Sequence, residues 1–175
     1  MPVHLIIDGY NLLAVMGGQA RRDGAHSALG RDSLVRDLSA YRHRKGHAVT
    51  VVFDGWQSGQ LFEGREHRLG VQIIYSKRGE RADQVIQRLA KEFESDCAVV
   101  SSDREVTDYA RAQGAFVMEA REFAEKLSSS PVTGVAHKEL DTGEEYPPRR
   151  GSEKRGNPRK LPKSARRRGR QLRRF

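Results

Sequence analysis

Val3-His4-Leu5-Ile6-Ile7-Asp8-Gly9-Tyr10-Asn11 is an apolar run that stops on an aspartate and a glycine. Its apolar residues are consecutive rather than alternating, the pattern of a strand covered on both faces. Runs of the same kind return at Val49–Phe53, Val71–Tyr75, Ala98–Val100 and Ala115–Met118. Helical spacing fills the intervals. Leu34, Val35, Leu38 and Tyr41 share one helical face, and Ala82, Val85, Ile86, Leu89, Ala90 and Phe93 hold such a face over three turns. Val106, Tyr109 and Ala110 begin a third face, and Ala120, Phe123, Ala124 and Leu127 make a fourth. Ser102-Asp103-Arg104-Glu105 reads as a capping box with Ser102 at the N-cap. Strand–helix alternation of this kind predicts an α/β fold with a central parallel sheet, helices on both faces and right-handed crossovers. Two stretches interrupt it, Met16–Gly30 and Gly55–Gly70, and both are expected to be long loops.

The acidic residues fall at telling places. Asp8 ends the first run, Asp54 ends the second in Val52-Phe53-Asp54-Gly55, and Asp103 follows the fourth in Val100-Ser101-Ser102-Asp103. Asp83 stands at the start of the longest helical pattern. Ligands of open parallel sheets bind outside the carboxyl ends of the strands, so all four aspartates are expected on one edge. Each has a plain structural reading, as a turn residue or as an anion at a helix N-terminus. Four on one edge favour a shared site instead. Carboxylates gathered there repel, and a hard divalent cation such as Mg²⁺ resolves the conflict with oxygen ligands and retained waters. One metal or two could be held, and ions flanking a phosphodiester would leave 5′-phosphate and 3′-hydroxyl products.

Asp8-Gly9-Tyr10-Asn11-Leu12-Leu13, Val52-Phe53-Asp54-Gly55, Arg81-Ala82-Asp83-Gln84-Val85-Ile86 and Val100-Ser101-Ser102-Asp103 arrive in an order that resembles the YacP-like branch of the NYN domains, within the PIN-like nucleases. The resemblance spans about Val3 to Leu127. It implies a three-layer α/β/α sandwich and a Mg²⁺- or Mn²⁺-dependent endoribonuclease. By the same resemblance Asp8, Asp83 and Asp103 match the metal-binding positions, Asn11 orients Asp8 or a phosphate, and Asp54 helps through water. RNA cleavage linked to translating ribosomes is a further implication. The other chemistries read poorly: Tyr10 stands where a haloacid-dehalogenase-type phosphatase needs a second aspartate, and no Gly-x-Gly-x-x-Gly turn follows the first run. The six histidines show no metal-ligand spacing, His4 reading as a sheet residue and His43 and His47 as cations at a helix end.

Charge divides the 175-residue chain. Its net charge is +9, yet residues 128–175 carry 14 of the 32 basic and only 5 of the 23 acidic residues, which leaves 18 of each in residues 1–127. The expected organisation is therefore a neutral nuclease domain over 1–127 and a basic tail over 128–175. The tail has nine apolar residues among 48, too few to offset the entropy of ordering, so disorder is expected there. Arg166, Arg167, Arg168, Arg170, Arg173 and Arg174 form its densest basic cluster. Such tails bind nucleic acid by counterion release, with ribosomal RNA the preferred partner ahead of an anionic membrane surface or a merely solubilising role. In the body, Trp56 is a candidate for base stacking, and Arg21, Arg22, Lys77, Arg78 and Arg81 for phosphate contacts. A single cysteine, Cys97, allows neither an intrachain disulfide nor a cysteine zinc site. The opening run lacks a basic flank, so it does not read as a signal peptide, and no stretch is long enough to span a membrane. A cytoplasmic protein is expected. A non-catalytic RNA- or ribosome-binding protein on the same scaffold is the rival reading, and a small-phosphoester phosphatase a weaker one. Truncation after Ser130 is predicted to weaken RNA binding and to lower the log–log salt slope by about 0.7 per lost phosphate contact on a single strand; titrations at several salt concentrations check this, and an unchanged slope would assign binding to the body.

Overall fold

Consecutive β-branched and apolar residues build the centre of the molecule. In the computed structural model, which describes residues 3–17, 27–55 and 62–128, they form β1 His4–Asp8, β2 Ala48–Phe53, β4 Val71–Tyr75, β5 Cys97–Val100 and β6 Phe116–Met118. A further strand, β3 Gly64–Arg68, precedes β4. The helices are α1 Gly9–Met16, α2 Ala28–Lys45, α3 Ala82–Phe93, α4 Arg104–Ala112 and α5 Ala120–Ser128. Sheet order is β3-β4-β2-β1-β5-β6, parallel throughout except that β3 runs antiparallel to β4.

Both faces of the sheet are covered, which is why the strand sequences do not alternate with polar residues. Ile6, Val52, Ile74 and Val99 point to one face and pack with Val85, Ile86 and Leu89 of α3 and Val106 and Ala110 of α4. The opposite register positions are buried as well, Leu5, Ile7, Val51 and Phe53 among them. On that side α1, α2 and α5 pack on one another, with Tyr41 of α2 meeting Phe123 of α5 edge to face at 5.1 Å. Each fully buried Leu, Ile or Val contributes about 1.5–3 kcal/mol of burial free energy. This three-layer arrangement is the expected α/β/α sandwich.

Three features depart from the sequence expectation. Gly55–Gly70 is not all loop, because β3 lies within it. Its residues are exposed or partly so, and strand geometry comes from backbone pairing with β4, Gly64 opposite Tyr75 through Arg68 opposite Val71. The sheet is thus mixed at one edge. Helix α1 also begins immediately after Asp8, and α2 begins at Ala28 inside the stretch assigned to a loop. Finally, the N-cap of α4 is Asp103, whose side chain accepts from the Glu105 and Val106 amides, so Ser102 is not the cap.

The glycines after Asp8 and Asp54 are not there for turn geometry, since neither has a positive φ. They allow close approach. A Cβ on Gly9 would lie 2.3 Å from the Phe53 ring, and one on Gly55 would lie 2.0 Å from the Ser76 carbonyl oxygen. Gly55 is the stricter case, because the obstacle is backbone that holds the end of β2 against the end of β4. Gly55→Ala is predicted to destabilise the protein by about 1–3 kcal/mol in urea unfolding, the usual range for overpacking; wild-type stability would show that the junction yields freely.

Candidate functional site at the carboxyl edge of the sheet

β1 lies between β2 and β5, and the chain leaves β1 and β5 on opposite faces of the sheet. This is a topological switch point, where the loops after adjacent strands part and leave a crevice. Asp8 stands at its lip as both the last residue of β1 and the N-cap of α1. It is only 8% exposed. Its Oδ1 accepts the Asn11 amide at 3.1 Å, and its Oδ2 accepts the Ser101 hydroxyl at 3.3 Å. Ser101 Oγ in turn accepts the Asp103 amide at 3.1 Å. A second tie crosses the same crevice, from the Ser102 amide to Asn11 Oδ1 at 3.1 Å. Asn11 therefore orients Asp8 through its backbone, while its side chain fixes the loop that carries Asp103.

Asp54 and Asp83 approach from the other side. Asp54 Oδ1 accepts the Ala82 amide at 2.6 Å, capping the first turn of α3, and Ser76 Oγ lies at 3.5 Å. Ser76 is buried and also accepts the Gly55 amide at 3.0 Å. Asp54 thus ties the start of α3 to the ends of β2 and β4, and so places Asp83 one residue further on. Asp83 Oδ2 is engaged by the Arg81 guanidinium, with Nε at 3.0 Å and Nη2 closer still. Arg81 is exposed, and its guanidinium is held above its ordinary value first by the hydrogen bond and charge of Asp83, then by Glu105 and Asp103.

The carboxylates crowd one another. The Asp8 carboxyl is pushed up to about 6, mainly by burial, with the charges of Asp83 and Asp54 adding to it and the hydrogen bonds from Asn11 and Ser101 opposing it. Even so, among the described residues no three Asp, Glu, His or Cys side chains are gathered as a ready chelating set. Asp103 is occupied with its own helix N-terminus and Asp83 with Arg81. These donors do not fit an ion gripped directly by Asp8, Asp83 and Asp103 together. They fit the hydrated manner of Mg²⁺, which takes one or two carboxylates and keeps its waters.

Lys77 and Arg78 are exposed in the turn between β4 and α3, on this edge of the sheet. Arg21, Arg22, Trp56 and the tail arginines Arg166, Arg167, Arg168, Arg170, Arg173 and Arg174 lie outside the described residues, as does the expected disorder of the tail. Ser76 and Ser101 escaped the sequence reading. Their signal was a small polar residue immediately after an apolar run, which sequence alone does not distinguish from a turn. His4 is a sheet residue, with Nε2 at 2.7 Å from Thr50 Oγ1 and its ring against Phe93. His47 is buried just past Gly46, the C-cap of α2, and its Nδ1 accepts the Val3 amide.

The crowding has a consequence for stability. A carboxyl held above its unfolded range binds its proton more tightly in the folded state. Its contribution is complete below about pH 4 and is lost as pH rises through about 6. In EDTA, wild-type stability is predicted to fall across this window, and Asp8→Asn to remove that slope. The variant then gains on the order of 2 kcal/mol over wild type at pH 7.5 and nothing at pH 4. Parallel melting curves across this range would contradict the crowding.

Comparison with known proteins agrees with this fold. The chain is 29% identical over 133 residues to the uncharacterized protein YacP of Bacillus subtilis, covering 71% of this chain and 75% of that one. The crystal structure of Rae1 (YacP) from Bacillus subtilis superposes with a TM-score of 0.56 at 27% identity, over 73% of this chain and 74% of that chain. The crystal structure of a mutant of the same Bacillus subtilis protein gives 0.58 at 27% identity, over 73% and 76%. The model of the YacP-like NYN domain matches residues 5–168, past Leu127 and into the basic segment. With its fold and nearly its whole length accounted for in this way, the chain belongs to the YacP-like NYN domain family.

Proposed function

We propose that this protein is a metal-dependent endoribonuclease whose body cleaves RNA phosphodiesters and whose basic tail holds it to RNA, with ribosomal RNA the preferred anchor. The family is nuclease-like and its fold RNA-related. The observation that carries the reading is the buried Asp8 carboxylate, tied across the switch point by Ser101 and crowded by Asp83 and Asp54. In this reading Asp8 and Asp83 would hold Mg²⁺ or Mn²⁺, one ion or two, with Asp103 acting through water. When bound, such an ion supplies charge neutralisation at the phosphate and a more acidic water.

The chain's own residues have separate parts. Ser101 keeps one oxygen of Asp8 oriented, and the Asn11 amide fixes the other. Asp54 is a positioning residue, since it holds the α3 terminus that carries Asp83. Arg81 covers Asp83, and an incoming ion or phosphate must compete with it. Lys77, Arg78 and Arg81 are exposed cations suited to the substrate backbone. The reading includes a cytoplasmic setting, and among the described residues no helix is long and apolar enough to cross a membrane.

The rival is an RNA- or ribosome-binding protein without catalysis, favoured by two observations, the occupation of Asp83 by Arg81 and the lack of a ready chelating set among the described residues. Cleavage of a labelled single-stranded RNA with Mn²⁺, with and without ribosomes, separates the two. Asp8→Asn and Asp83→Asn are each predicted to lower cleavage roughly 100-fold or more, and EDTA to abolish it, with RNA affinity nearly unchanged. Wild-type rates in both variants would refute the metal site, and intact RNA under every condition would establish the rival.

A further inference from the structure

Aromatic side chains line the same edge of the sheet beyond the acidic cluster, on the side of β2, β4 and β3. Tyr10 sits in the first turn of α1, partly exposed, with its ring edge-on to Phe53 at 5.2 Å. Phe53, fully buried at the end of β2, stacks at 5.8 Å on Tyr75, the partly exposed last residue of β4. Opposite Tyr75 in the sheet is Gly64, the first residue of β3. Two residues before Gly64, off the sheet edge, stands Phe62, which is 81% exposed. A large apolar ring so exposed contributes little to folding.

Cations accompany the rings. Arg31 Nη1 donates to the Tyr10 hydroxyl at 3.3 Å, and Lys77 and Arg78 are exposed just after β4. The acidic cluster would repel a phosphate backbone along its own surface, so an RNA strand needs a cationic and apolar path leading away from it. The helix α4 side instead opens on two acids, Asp103 and Glu105, with the exposed Arg104 between them. We infer that single-stranded RNA leaves the acidic centre over Tyr10 and runs toward Tyr75 and Phe62, its bases stacked on these rings and its phosphates met by Arg31, Lys77 and Arg78. The inference rests on the nuclease reading for the choice of ligand, and it assigns the route that the strand takes away from the acidic centre. A duplex buries its base faces and cannot use the rings, whereas every unpaired base offers a face to stack, with little dependence on sequence.

The experiment uses the full chain in EDTA with a single-stranded oligoribonucleotide carrying 2-aminopurine, whose fluorescence falls on stacking. This local signal is independent of attachment through the tail. Wild-type protein is expected to quench it. Phe62→Ala and Tyr75→Leu are expected to lose the quenching and to weaken single-strand binding about 5- to 100-fold, while Tyr75→Phe retains both. Arg31→Gln is expected to lower the log–log salt slope by about 0.7. Affinity for a blunt duplex of the same sequence should stay the same in Phe62→Ala and Tyr75→Leu. Should Tyr75→Leu fail to fold, Phe62→Ala at its exposed position still decides. An absence of quenching in wild type, or wild-type affinity in Phe62→Ala, overturns the path. Cleavage does not enter these measurements, so loss of the path leaves the nuclease reading standing, and unaffected cleavage in the Asp8 and Asp83 variants leaves the path standing.

Discussion

The Ser101 hydroxyl joins the two halves of the molecule at one point, donating to Asp8 and accepting from the Asp103 amide. β1 and β5 are neighbours in the sheet, but the chain leaves them on opposite faces, so nothing in the backbone ladder continues across their carboxyl ends. The serine bridge and the Asn11–Ser102 bond supply that continuity. They carry the tie between β1 and β5 one step past the last ladder pair, Ile7 with Val100, to the loop that holds Asp103. The site is therefore a property of the crossover topology as well as of its acidic residues.

Electrostatics then sets the character of the place. A buried carboxylate with two others near it is unfavourable unless hydrogen bonds or a cation compensate. Asn11 and Ser101 compensate partly, and Arg81 neutralises Asp83 from an exposed position where solvent screens the pair. What remains is a negative centre only incompletely balanced by the protein. Asp54 takes part at one remove, since its hydrogen bond to Ala82 determines where α3 starts.

Much of this was legible in the order of residues. Consecutive apolar runs marked the five parallel strands, because burial on both faces removes alternation, and the aspartates marked the edge where Asp8, Asp54 and Asp83 crowd one another. The failures have physical causes. β3 reads Gly64-Arg65-Glu66-His67-Arg68, with no apolar face to betray it, because an edge strand draws its order from a neighbour's backbone. Ser102 and Asp103 are both good caps, and only the geometry of the β5 exit chooses the aspartate. Gly9 and Gly55 look like turn glycines, yet they answer to the Phe53 ring and the Ser76 carbonyl, contacts between segments far apart in sequence. The Ser76 and Ser101 hydroxyls likewise acquire meaning only when strand ends meet.

The proposed chemistry stands or falls with a divalent cation shared by Asp8 and Asp83 at the β1–β5 switch point. Anomalous diffraction from crystals soaked in Mn²⁺ would locate that ion. It is expected within reach of both carboxylates, with the Arg81 guanidinium withdrawn from Asp83. A crystal saturated with Mn²⁺ that shows no ion there, with Arg81 still on Asp83, would refute the shared site.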